Sequence, residues 1–146
     1  MQLNFYELGI RNEEELTFAV VSAVYEDKWV YVKHKERMTW EIPGGRRELG
    51  EEIMNTAKRE LFEETGAVRS EIIPICDYAM NHSSGKQFGR LYFANIFELG
   101  QLPESEIKEV QLFEGLPENL TYAEIEPQLY KRTMEFLKAN KQLLLK

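Results

Sequence analysis

The chain has 146 residues, 43% of them hydrophobic and 12% aromatic. That is close to the commonest single-domain size with enough apolar side chain for one core, which excludes a disordered tail or a collagen-like fibre. With 18 basic against 25 acidic side chains the net charge is −7, which argues against wrapping duplex DNA or an anionic membrane but not against a phosphorylated ligand arriving with a divalent cation.

We expect residues 1–146 to form a single domain, with no composition shift, repeat or linker to divide it. A single cysteine, Cys76, makes no intramolecular disulfide and no thiolate zinc site, which fits a reducing, cytoplasmic setting. Residues 1–10 contain Glu7 and no positive leader, and no stretch approaches the roughly 18 apolar residues of a membrane span.

In chain order, residues 17–25 read as a buried strand, followed by a turn at Glu26-Asp27-Lys28 and a returning strand over 29–32. Further strands are expected over 72–79, 88–97 and 110–113, each bounded by Gly, Pro or Asn. Helical period governs two other segments. From about 51 to 65, Ile53, Met54, Ala57 and Leu61 line one face, and Gly66 stands where a left-handed C-terminal cap belongs. Pro127 suits the first turn of a second helix, with Leu129, Thr133, Phe136 and Leu137 on one face until about Leu143. The fold class is α/β: one mixed sheet with helices on both sides.

On the first helix, Glu52, Glu60, Glu63 and Glu64 fall in one acidic stripe beside the apolar one. Like charges at this spacing repel by roughly 0.2–0.5 kcal/mol per pair, so a cation is expected to neutralise them, and Arg59 alone is not enough. Oxygen ligands with no thiolate or His pair select Mg²⁺ or Mn²⁺ before Zn²⁺. A glutamate-rich helix face is most often simply solvated. What overturns that reading here is the segment just ahead, Trp40-Glu41-Ile42-Pro43-Gly44-Gly45, where Pro43 fixes a bend and the glycines admit close approach of a ligand.

Gly45, five residues, Glu51, seven residues, then Arg59-Glu60-Leu61-Phe62-Glu63-Glu64-Thr65-Gly66-Ala67 match G-x5-E-x7-R-E-U-x-E-E-x-G-U. The chance of all fixed positions arising in a chain this long is on the order of 10⁻⁷. The chain resembles the Nudix (MutT-type) hydrolases, whose box it carries at 45–67; Ala67 is smaller than the usual aliphatic residue and bears only on packing. The resemblance implies an α/β/α sandwich with a mixed central sheet and a loop-helix-loop box. It further implies metal ligands at Glu63 and Glu64 with the Gly44 carbonyl, a ligand or water-activating role for Glu60, an orienting role for Arg59, and a loop-to-helix tie at Glu51. The base role stays divided between Glu60 and Glu64.

Such enzymes often take one more carboxylate from a later loop; among Glu98, Glu104, Glu106 and Glu109, Glu106 is the best placed before the strand over 110–113. In the basic run of Lys33, His34, Lys35 and Arg37, Lys35 is the expected phosphate contact, together with the Gly45 backbone, while His34 reads as structural or exposed. Trp40 and Tyr122 read as core or helix-staple residues before base-stacking ones. Asn119 and Glu124, leading into the second helix, are the expected base readers. The partner is a small-molecule nucleotide; a homodimer is compatible with the sequence, which does not set the oligomeric state.

The short chain lacks the patterns of ADP-ribose, NADH and coenzyme A branches. It resembles the house-cleaning branch that acts on nucleoside triphosphates, including 8-oxo-dGTP. An RNA 5′-end pyrophosphohydrolase is the alternative, disfavoured by the charge; a non-catalytic nucleotide sensor usually loses box glutamates, and all are present here.

Overall fold

The computed structural model describes residues 1–83 and 85–144. Strand β2 (Leu16–Tyr25) runs through the middle of a mixed sheet and is apolar along nearly its whole length because both its faces are covered. Ala19, Val21 and Ala23 face one layer with Ile53, Ala57 and Leu61 of helix α1 (Ile53–Thr65). Val20 and Val24 face the opposite layer with Leu129 and Leu137 of helix α2 (Glu126–Ala139). Thr133 Oγ1 lies 3.0 Å from Ser22 Oγ, pinning α2 to the strand by a buried hydroxyl pair. The helices therefore cover both sides of the sheet, the α/β/α sandwich expected.

The remaining strands are β1 (Asn4–Tyr6), β3 (Lys28–His34), β4 (Gly44–Arg46), β5 (Ala67–His82), β6 (Gly85–Leu99) and β7 (Ile107–Phe113). The sheet order is β1-β5-β6-β2-β3-β7, with β4 paired to β2. Strands β2 and β6 run parallel, with Val20 opposite Leu91 and Ala23 opposite Ala94, while β1 with β5, β5 with β6, β2 with β3 and β4, and β3 with β7 pair antiparallel. Glu26 and Asp27 alone form the β2–β3 turn, both at positive φ (52° and 65°), a geometry that matches strand twist, so Lys28 already belongs to β3.

Three expectations need correction in extent. Helix α1 begins at Ile53, with Glu52 in extended conformation at its N-cap, so Glu52 is exposed and leaves the acidic stripe. Helix α2 stops at Ala139 and gives way to a 3₁₀ turn at Lys141–Leu144. The strands expected over 72–79 and 88–97 extend to 16 and 15 residues, because backbone pairing between β5 and β6 continues past the apolar pattern. Gly66 does cap α1 in the left-handed region (φ 81°), its N–H reaching Phe62 O at 2.8 Å.

Candidate active site

The box loop is fastened to the sheet on one side and to α1 on the other. Pairing of β4 with β2 sets Gly44 opposite Val20 and Gly45 opposite Ala19. A Cβ on Gly44 would stand 2.6 Å from Ala19 O, and one on Gly45 would overlap the Glu60 carboxylate, so the two glycines are required by close approach on opposite sides. Across that gap Gly44 N–H donates to Glu64 Oε1 at 2.9 Å. The loop and the acidic helix are thereby locked in register.

Arg59 is the hub of the helix face. Its Nε and Nη2 donate to Glu51 Oε2 and Oε1 at 2.8 and 3.0 Å, and Nη2 also reaches Arg46 O at 3.0 Å. Its Nη1 donates to Glu63 Oε1 at 2.9 Å and to Glu60 Oε1 at 3.2 Å. Thr56 Oγ1 and Glu48 N–H complete the set of donors to Glu51 Oε1. Those hydrogen bonds, above all the one from Arg59, hold the Glu51 carboxyl down at about 2.

The neighbouring carboxyls move the other way. Burial pushes Glu64 up to about 8, against the Gly44 hydrogen bond and with help from Glu60, Glu41 and Glu106. Glu60 is also raised, first by burial and then by its carboxylate neighbours, with Arg59 opposing. Glu64 is 8% exposed, so two acids that border the core are held where ionising both is unfavourable without added positive charge.

A hard cation fits this donor set. Glu60, Glu63 and Glu64 stand at one loop-helix junction beside the Gly44 backbone, and their carboxylates offer oxygen only, the chemistry Mg²⁺ or Mn²⁺ takes. Among the described residues no three His, Cys, Asp or Glu side chains enclose a metal site by themselves. An Mg²⁺ site that shares its coordination with water and substrate phosphate has no need of such a cage.

Glu106 sits at the rim of this cluster, 90% exposed, its Oε2 4.0 Å from His34 Nδ1. His34 Nε2 in turn lies 3.8 Å from Glu64 Oε2 and 3.6 Å from Glu41 Oε2. Sequence reasoning set His34 aside; its place among three carboxylates follows from its position at the end of β3, beside the Lys35 N–H to Glu106 O bond of 2.9 Å. The Lys35 side chain is exposed. Lys33 is turned away, over the Trp40 ring and 3.7 Å from Glu109. Trp40 is buried edge-on against Phe113, as a core residue.

On the α2 side of the sheet, adjoining Gly44 and Gly45, lies a cleft of about 580 Å³, walled by Phe18, Val20, Tyr78, Ile42 and Leu129. Asn119 is not among its lining residues, its carbonyl being used by Trp40 N–H at 2.7 Å. Glu124 reaches the cleft but is 76% exposed and paired with the Met1 amino group at 3.1 Å. The lining residues that the sequence analysis does not name as site residues include Arg46, exposed beside the box glycines, Glu41, and Glu126, the buried acid at the start of α2. Nothing local in the sequence marks Glu126, because an acid ahead of Pro127 reads simply as a favourable first-turn residue. Among the described residues, no helix is long and apolar enough to cross a membrane.

A family model described as NUDIX domain matches residues 7–134. The "Putative 8-oxo-dGTP diphosphatase YtkD" of Bacillus subtilis (strain 168) is 36% identical over 95 residues, 64% of this chain and 60% of that protein. The mouse "Nucleoside diphosphate-linked moiety X motif 6" is 44% identical over 57 residues, 39% of this chain and 18% of its own length. The chain thus spans less than two thirds of either relative. Among solved structures, the Bacillus subtilis pyrophosphohydrolase BsRppH superposes with a TM-score of 0.77 at 25% identity, covering 91% of this chain and 90% of that one. With its box folded as a loop and helix, and a family match over most of its length, this chain belongs to the Nudix family.

Proposed function

We propose that this chain is a divalent-metal-dependent pyrophosphohydrolase of small nucleoside triphosphates, of the house-cleaning type, with 8-oxo-dGTP as leading substrate. The observation that carries the reading is the adjacency of a mononucleotide-sized cleft to the box glycines, with the raised carboxyls of Glu60 and Glu64 next to them. The Bacillus subtilis relative, named a putative 8-oxo-dGTP diphosphatase, points the same way. A cytoplasmic setting belongs to the same reading.

Gly44 O, Glu60, Glu63 and Glu64, with Glu106 from the rim, would hold Mg²⁺ or Mn²⁺. When bound, the cation supplies the positive charge that stabilises an anionic phosphoryl transition state. Glu60 or Glu64, in its ionised form, takes the proton of the attacking water. Gly44 N–H aims Glu64, and Arg59, itself held by Glu51, aims Glu60 and Glu63. Arg46, Lys35 and the Gly45 backbone are placed to meet substrate phosphates. Attack on an internal phosphorus releases a nucleoside monophosphate and pyrophosphate.

A second reading, removal of pyrophosphate from RNA 5′ ends, is favoured by the likeness to BsRppH over nearly the whole chain. The charge of −7 opposes it. Rates on 8-oxo-dGTP, the four dNTPs and a 5′-triphosphorylated oligoribonucleotide, in Mg²⁺, separate the two. The first reading expects kcat/KM to be highest on a free nucleotide; preference for the oligoribonucleotide would establish the second instead.

A further inference from the structure

Glu126 is 3% exposed, lines the cleft, and uses only one of its two oxygens. Oε2 accepts the Ile42 N–H at 3.1 Å, while Oε1 is buried with no hydrogen-bond partner among the described residues. A buried carboxyl oxygen left unmatched costs on the order of 1–3 kcal/mol, and such groups are rare enough to ask what completes them. The acid faces the same space as the apolar walls of Phe18, Val20, Ile42 and Leu129, which suit the faces of a flat heterocycle. Its engaged oxygen holds Ile42, two residues ahead of Gly44 and the metal-facing loop. One carboxyl thus borders both the cleft and the segment that carries the box glycines.

We propose that Glu126 is the base-reading residue of the cleft: Oε1 accepts the N1–H of a guanine-type base, while Oε2 keeps the box loop in place. A carboxylate matches an edge with a ring N–H and an exocyclic amino group, and it repels the acceptor N1 of adenine. Burial pushes the Glu126 carboxyl up to about 8, and N–H donors from a ligand favour its ionised form. Glu41, whose charge also raises it, and the phenols of Tyr31 and Tyr78 are its titratable neighbours, so no cation competes with the base for that oxygen among them. Base selection rests on the nucleotide reading above and goes beyond it by naming the residue and the edge it meets.

The test uses calorimetric binding of dGMP and dAMP to the metal-free protein, with kcat/KM on dGTP and dATP in Mg²⁺. Wild type is expected to bind dGMP more tightly than dAMP. In Glu126→Gln the freed oxygen becomes an N–H₂ donor while the Ile42 acceptor is retained, and guanine binding and kcat/KM should fall about tenfold or more, with adenine changed much less. The 1-methyl derivative of dGMP, lacking the N1 proton, should lose a similar factor on the wild-type protein, which removes any dependence on how the variant folds. Equal changes on both bases, no change, or unimpaired binding of the 1-methyl derivative would overturn the assignment. Base-selective binding that depends on Glu126 without triphosphate hydrolysis would uphold it and refute the substrate reading instead.

Discussion

The guanidinium of Arg59 and the carboxylate of Glu51 form a two-pronged pair, Nε to Oε2 at 2.8 Å and Nη2 to Oε1 at 3.0 Å, eight residues apart across the start of α1. Both are largely shielded, and the same guanidinium spreads its remaining N–H groups over Glu63, Glu60 and Arg46 O. Removing Glu51 therefore takes away the two-pronged partner of Arg59 and frees the side chain that aims the acidic cluster.

Glu51→Gln is expected to cost about 1–3 kcal/mol of stability at neutral pH, read by thermal or denaturant unfolding. Its folded value of about 2 lies below its ordinary 4.5, so the pair stabilises fully above about 4.5 and the contribution is lost as pH falls toward about 2. The variant should show a shallower loss of Tm over that acid window. An identical acid profile would show that the pair adds nothing to folding.

The two glycines separate stability from activity. Gly44→Ala drives a methyl against backbone at Ala19 and Val20, which cannot move cheaply, and should destabilise by about 1–3 kcal/mol. Gly45→Ala meets the movable end of Glu60, so the fold should survive nearly unchanged while kcat falls with the displaced carboxylate. Melting curves and steady-state rates on the two variants check the contrast.

How much of this was legible in the sequence follows the range of the interactions. Strand β2 and both helices were visible because burial on a face imposes a period on neighbouring residues, and the box because its spacing is specific. Strand β1 is three residues at an edge, and β4 is Gly-Gly-Arg, a segment with no strand propensity that pairs only because β2 lies beside it. The approach of His34 to Glu41, Glu64 and Glu106 depends on how three separate segments meet, and so does the placement of Glu126 beneath Ile42. Of the two expected base readers, Glu124 lines the cleft and Asn119 does not, and the buried acid Glu126 lies two residues beyond Glu124.

Glu126 also sets a pH signature. Its folded value of about 8 stands above the ordinary 4.5, so the metal-free protein is penalised increasingly as pH rises from about 4.5, the penalty levelling off above about 8. Glu126→Gln removes the ionisation and should melt several degrees above wild type at alkaline pH, the gap narrowing below about pH 5. A gap independent of pH would show that Glu126 is not held neutral by burial.

Chelation and the helix carboxylates should act together. Glu63 is 44% exposed, so Glu63→Gln should leave Tm almost unchanged while lowering kcat by about 100-fold or more. Because burial holds the metal-free Glu64 carboxyl up at about 8, Mg²⁺ must displace its proton to bind, and the Mg²⁺ concentration that gives half-maximal activity should fall as pH rises from about 6 to about 9. Full activity of Glu63→Gln in Mg²⁺ would remove that residue from the cation site.

The most direct measurement is phosphorus NMR of dGTP incubated with the protein and Mg²⁺, with and without excess EDTA. Attack on an internal phosphorus within a metal-dependent box predicts dGMP and pyrophosphate as the products, with both signals abolished by the chelator. Orthophosphate appearing with dGDP, or turnover that continues undiminished in EDTA, would contradict it.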